Sequence, residues 1–254
     1  MSYRIILIVS IIISGSFLKT FAQTEDVFKS FGEGLTFESG VSLLAMKDEL
    51  ISKQKYSGSL PVYSLSWSKF NNVYGLRIYM NYEDAPGLKN YNITSSVQQT
   101  QIGIAFVYPI GSISFFSKNA YLFLGPAVDI FSHKQVLNIS NFDVYNASVN
   151  AWLYSGCVRA EAYYELKGNI RLHASGQISI LSEAFKSTSD EGTQETIVTP
   201  LSGFDSQIGI DILYKITKGF TASAGYRFRM AEISKWDYFV AAQDQFTAAL
   251  SYKF

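Results

Sequence analysis

The sequence predicts an all-β fold, a closed antiparallel up-and-down barrel of about ten strands with its apolar side chains turned outward toward a bilayer; eight strands is the alternative count. Three observations predict it. Alternating segments of the ~9 to 11 residues that a tilted membrane strand needs recur along the chain. The connections between them alternate long and short. Apolar residues make up 48% and aromatic residues 15% of the 254 residues, yet beyond the amino terminus no apolar run approaches the ~20 residues of a spanning helix.

The amino terminus reads as a cleaved signal peptide, Met1 to Ala22. Arg4 gives its positive start, Ile5 to Ile13 its apolar core and Thr20-Phe21-Ala22 its cleavage site. That core is too short to span a bilayer. No Cys follows it, which argues against a lipoprotein, and the one cysteine, Cys157, allows neither an internal disulfide nor a metal site alone. Lys plus Arg and Asp plus Glu each number 21, and losing Arg4 and Lys19 leaves a charge of minus two. No basic stripe points to nucleic acid. Residues 23–254 then make one domain.

The first strand spans Leu35 to Met46, with Leu35, Phe37, Val41, Leu43 and Ala45 on one face and Thr36, Glu38, Gly40 and Ser42 on the other. Lys47 to Ser59 follows as a long polar loop. Val62 to Phe70 sets Tyr63, Leu65 and Trp67 against serines, Asn71-Asn72 makes a tight turn, and Val73 to Tyr82 sets Leu76, Ile78 and Met80 against Arg77, Tyr79 and Asn81. Glu83 to Ser96 is the next loop. Gln99 to Tyr108 presents Ile102, Ile104 and Phe106 opposite Gln101, Gly103 and Ala105, and Pro109 ends it. Tyr121 to Phe131 pairs Leu124, Val128 and Ile130 with Gly125, Ala127 and Asp129, with a bulge or kink expected at Pro126.

After a loop from Ser132 to Asn146, the sixth strand, Asn150 to Tyr164, turns Trp152, Tyr154 and Val158 outward and Ser155, Cys157, Arg159 and Glu161 inward. Lys167-Gly168-Asn169 turns the chain into the clearest pattern in the protein. There Ile170, Leu172, Ala174, Ile178 and Ile180 oppose Arg171, His173, Ser175, Gln177 and Ser179. Ser182 to Gly203 is the longest loop. Strand eight sets Ile208, Ile210, Ile212 and Tyr214 against Asp205, Gln207 and Asp211, and strand nine sets Phe220, Ala222, Ala224, Tyr226 and Phe228 against Arg227 and Arg229. The loop Ile233 to Ala242 precedes a closing strand, Gln245 to Phe254.

Rings gather at the short-turn end of the apolar face, at Tyr74, Tyr108, Tyr164, Tyr214, Phe220 and Phe254, as expected of an interfacial girdle. Trp152, Tyr82 and Phe246 belong to an upper one. A soluble sandwich or lipocalin-like barrel also alternates, but its polar faces would carry many Arg and Lys; here they carry Gly, Ser, Thr and Gln. A barrel of this size fills with its own side chains. Inward charges, among them Glu38, Arg77, Asp129, Arg159, Glu161, Asp205, Asp211, Arg227 and Arg229, must then pair. Equal spacing about Lys167 sets Glu161 opposite His173. The alternative is a narrow solute path lined by the same groups.

The closing strand, with Tyr252 and a terminal Phe254 on one face, resembles the last strand of bacterial outer-membrane β-barrels. Together with the signal and the alternation, the chain resembles the compact outer-membrane β-barrel families, including the PorT-like group of Bacteroidota and the barrel of the OmpA type without its periplasmic domain. The resemblance implies the outer membrane as location, and as partners lipid, lipopolysaccharide and the barrel-assembly machinery, which would recognise the strand ending at Phe254. It implies a structural or surface-binding role through loops, with no catalysis and no cofactor.

Two enzymatic resemblances are weaker. His173-Ala174-Ser175 is similar to the His and Ser of lipid A deacylases, in which imidazole activates a hydroxyl, but lacks that family's following Asn. Asp129, His133 and Asp205 resemble the rim residues of barrel proteases, without their Asp pair. With two histidines and one cysteine, no metal constellation is expected. Asn92, Asn138 and Asn146 open N-glycosylation patterns that read as polar loop sequence.

Overall fold

The structure is a computed structural model that describes residues 33–48, 52–71, 73–90, 93–115, 118–139, 145–190, 201–234 and 239–254. The expected signal, 1–22, lies outside them. They form ten strands: β1 (Glu33–Asp48), β2 (Ser52–Phe70), β3 (Gly75–Asn90), β4 (Ile93–Phe115), β5 (Lys118–Ile139), β6 (Tyr145–Lys167), β7 (Ile170–Asp190), β8 (Leu201–Lys215), β9 (Phe220–Ser234) and β10 (Phe239–Lys253). Each pairs antiparallel with its neighbours in sequence, and β1 pairs with β10 to close the barrel. At the seam the Phe254 N–H donates to the Glu33 carbonyl at 3.0 Å. The end of the barrel where β1 begins and β10 ends is the terminal rim.

The faces fall as the alternation requires. Ile170 and Ile178 are 37% and 49% exposed on the exterior, while their neighbours His173 and Gln177 are 7% and 6% exposed inside. The same holds for Leu35, Phe37, Val41 and Leu43 outside against Glu38 and Ser42 inside. With the polar groups enclosed and a belt of Leu, Ile, Val and Phe on the outside, the lower barrel is built for a hydrocarbon surround. Tyr108, Tyr214, Phe220 and Phe254 are exposed at the terminal rim, and Tyr252 packs between Phe220, tilted at 4.9 Å, and Phe254, edge-on at 5.3 Å.

The long polar loops are corrected. Most of their residues extend the strands: β4 and β6 each run 23 residues, a length of roughly 75 Å at ~3.3 Å per residue, twice what a ~25 Å apolar band requires even when tilted. Residues 182–190 continue β7 and 201–203 begin β8; residues 191–200 of that predicted loop lie outside the description.

The alternation inverts along these extensions. Going away from the terminal rim, the interior of β1 changes from Thr36, Glu38 and Ser42 to Leu44 and Met46; that of β6 changes from Glu161, Arg159 and Ser155 to Leu153 and Ala151; that of β10 changes from Gln245 and Gln243 to Ala241 and Phe239. Outside, Ser57, Ser59, Asp84, Gln98, Lys134 and Glu183 are exposed where lower exterior positions carry apolar groups. Above the belt the barrel is a soluble one, greasy within and polar without.

Local details also differ. Pro109 does not end β4; the strand passes it with a register shift between Pro109 and Gly111. Pro126, exposed on the exterior, pairs with Val158 in an unshifted register; its missing donor faces no break in that ladder. The register Phe70↔Gly75 sets the first hairpin turn one residue later than expected, and the Asn71 carboxamide oxygen accepts from the N–H groups of Val73 and Tyr74 at 2.8 and 2.9 Å. Gly168 turns the β6–β7 hairpin at φ 58°, a left-handed conformation that favours glycine.

Candidate functional site

Among the described residues the lumen concentrates ionisable groups, and the barrel registers bring them together in layers. Nearest the terminal rim, Glu161 on β6 is the hub. It accepts from Arg77 Nη2 on β3 at 3.0 Å, from Arg159 Nε at 2.7 Å and from the Tyr163 hydroxyl at 2.7 Å. His173 Nε2 lies 3.4 Å from the same carboxylate, and its Nδ1 lies 3.0 Å from Asp211. The ring stacks on Tyr163, with centroids 4.4 Å apart. Arg227 on β9 reaches past β10 to grip Glu38 on β1, Nη2 to Oε2 at 2.6 Å, and lies 3.7 Å from Asp211. Each carboxylate so buried requires a cation or several donors, and each has them.

The spacing about Lys167 had set Glu161 opposite His173. The ladder instead pairs Glu161 with Ser175 and Tyr163 with His173, because the hairpin turns on Gly168 and Asn169, between Lys167 and Ile170, and not on Lys167. Glu161 and His173 still meet, as diagonal neighbours on one face. Arg171 sits nearer the mouth and pairs with Glu165 at 2.9 Å.

A second layer centres on Asp129, which accepts from the Tyr79 hydroxyl and from the amides of Gln177 and Gln101, the last at 2.9 Å. Gly103 makes this possible, since a Cβ there would overlap both Asp129 and Tyr79. Beside it Arg229 binds Asp205, and Glu83 accepts from Gln243 at 2.9 Å and Gln245 at 2.7 Å. Glu83 falls in the expected loop Glu83 to Ser96 but lies within β3, and its position in phase with Arg77, Tyr79 and Asn81 marks it as inward.

Beyond these layers lies an apolar cluster drawn, among the described residues, from every strand except β8, including Leu44, Tyr56, Leu60, Leu88, Leu153, Ile233 and Phe239. On β8, Gly203 leaves the space that the Leu153 side chain fills. Below the charged and apolar layers, at the terminal rim, lies a vestibule, a cavity of about 450 Å³.

The two resemblances to enzymes can now be located. Both ring nitrogens of His173 face carboxylates, so neither is directed at the Ser175 hydroxyl two residues along. Asp129, His133 and Asp205 are all buried in the lumen and do not line the outer rim. His133 Nδ1 is 3.0 Å from the Gln99 amide and its ring packs on Phe239 at 4.7 Å. Among the described residues no group of three His, Cys, Asp or Glu side chains is arranged to hold a metal ion.

No protein-family model matches the chain, and no curated protein matches it. Solved structures do. The outer membrane protease OmpT of Escherichia coli is similar with a TM-score of 0.56 at 8% identity, over 87% of this chain and 97% of that one. The translocator domain of the autotransporter NalP from Neisseria meningitidis gives 0.49 at 9% identity, over 95% and 97%. Ail, the attachment invasion locus protein of Yersinia pestis, gives 0.32 at 13%, over 87% and 99%. At such identities the OmpT likeness speaks of architecture, and it agrees with the exterior belt and the enclosed charges: this chain has the closed, ten-stranded fold of a bacterial outer-membrane β-barrel.

Proposed function

We propose that the chain is an integral outer-membrane barrel of structural or surface-binding role, exported by its signal peptide, with a filled lumen and no catalysis. The observation that carries this reading is the succession of buried layers across the bore, from the Glu161 hub through Asp129 to the apolar cluster around Leu153 and Phe239. A through-path for solute would have to displace paired charges and a packed core together. The hydrogen-bonded state of Asp129 and Asp205, and the two carboxylates beside His173, support a role in holding the wall, and the likeness to a protease is one of fold.

The strand extensions would project well beyond the membrane and offer a polar outer wall to a partner or to lipopolysaccharide. The strand ending at Phe254 would be the part read by the barrel-assembly machinery. Planar bilayers provide the test: purified protein is expected to give no discrete conductance steps. Reproducible unitary channels would replace this reading with that of a narrow solute channel.

A further inference from the structure

The vestibule at the terminal rim is unlike the rest of the lumen. Deeper in the lumen, Arg159, Arg227 and Arg229 each have a carboxylate beside them. Around this cavity of about 450 Å³, the lining carries Arg77, Arg171, His173, Lys215, Lys218 and Lys253 and not one Asp or Glu. Arg77, Arg171 and His173 are balanced by acids behind them, Glu161, Glu165 and Asp211. Lys215 and Lys218 have no carboxylate within ion-pair distance among the described residues. Lys253 lies within electrostatic reach of both Lys215 and Arg171. The ends of β7, β8 and β10 and the β8–β9 turn thus converge like charges on one space, at a Coulombic cost that a bound anion would remove.

The space suits more than a simple ion. Its volume falls within the ~300–1,000 Å³ of small-molecule sites. Phe70, Leu213 and Tyr252 give it apolar walls, and Thr221 and Asn169 add polar groups to its lining. Toward the barrel interior it leads to a smaller space of about 110 Å³ where Glu38 and Asp211 appear, so an anion would be held at the mouth and turned back from the deeper lumen. Lysine ammonium groups act as mobile point charges that suit phosphate and carboxylate alike.

We propose that this vestibule binds a small organic anion with at least two negative charges, a phosphomonoester or polycarboxylate in class, taken up either free or as the headgroup of an anionic lipid. With the extensions facing lipopolysaccharide as proposed above, the vestibule opens toward the periplasm; the cavity and its charge do not depend on that orientation.

The experiment uses the full mature chain in nanodiscs of phosphatidylcholine, titrated calorimetrically with pyrophosphate and with citrate. Saturable binding of one or both is expected, weakened roughly tenfold or more by Lys215→Gln with Lys218→Gln, since each removes a charge-assisted contact. Lys134→Gln, on the exterior of the extension, is expected to leave it unchanged. Loss of that binding when phosphatidylglycerol replaces part of the lipid would place a headgroup in the cavity as the source. Absence of binding by both probes in phosphatidylcholine, or binding indifferent to the two Lys substitutions, overturns the proposal. The conductance result bears on the filled bore alone, so the two readings fail separately.

Discussion

Arg229 holds Asp205 in a two-pronged grip, Nε to Oδ1 at 3.2 Å and Nη2 to Oδ2 at 2.9 Å. The same guanidinium lies 4.1 Å over the ring of Phe131. One side chain therefore joins the charged layer to the apolar cluster, using the planar fork and the flat face that distinguish Arg from Lys. Arg229→Lys keeps the charge but loses the fork and the stacking. Urea unfolding in lipid vesicles is expected to register a loss of about 1–3 kcal/mol; an unshifted midpoint would mean that the pair supports nothing.

Glu161 serves two arginines, a tyrosine and a histidine. Glu161→Gln keeps the shape and removes the charge, leaving Arg77 and Arg159 without their shared counter-ion. Breaking a buried pair in this way costs about 3–5 kcal/mol. The gel-shift of folded against heat-unfolded barrel should move to lower temperature, and a variant as heat-resistant as the parent would count against the hub.

At Gly103 the constraint is steric. Gly103→Ala would drive a methyl group into Asp129 and Tyr79, and overpacking of this kind costs about 1–3 kcal/mol. Tyr79 should then move off the carboxylate, which ultraviolet absorbance of the phenol would report; an unchanged Tyr spectrum together with unchanged stability would refute the close packing.

The belt and the extension should respond differently to one and the same residue. Ile210, 50% exposed in the middle of the β8 exterior, faces hydrocarbon, where an arginine costs about 2–4 kcal/mol at the midplane. Gln98 is exposed on the extension of β4, where arginine should cost under about 0.5 kcal/mol. Folding yields of Ile210→Arg and Gln98→Arg into vesicles compare the two, and equal yields would put the membrane boundary elsewhere.

The inward and outward parity of the lower strands was legible from sequence, because hydrocarbon outside and paired charge inside impose a period of two that survives any error in strand ends. The inward charges Glu38, Arg77, Asp129, Arg159, Glu161, His173, Asp205, Asp211, Arg227 and Arg229 all face the lumen. The upper halves were not legible to a reading that followed apolar exteriors. At Leu44, Ala85, Leu153 and Ala241 the greasy residues change sides, so tracing one face loses the strand where lipid gives way to water. Glu161 meets His173 as a diagonal neighbour and not as a direct partner, because the hairpin is centred on Gly168, one position past the Lys167 that equal spacing assumes. The partners of Asp129 and Glu83 come from strands distant in sequence, and alternation along one strand carries no information about which residue stands across the bore.

Closure by the Glu33 carbonyl and the Phe254 N–H has a kinetic consequence. Every other ladder joins consecutive strands through a local hairpin, whereas β1 and β10 meet across nearly the whole chain, as in the pair Leu35 and Tyr252. Bringing such remote ends together carries the largest loop entropy in the molecule. Nine ladders can therefore zip progressively, and the last is expected to set the pace: until the final strand has been delivered, the first strand remains an unsatisfied edge, open to pairing with any other strand that the surroundings offer.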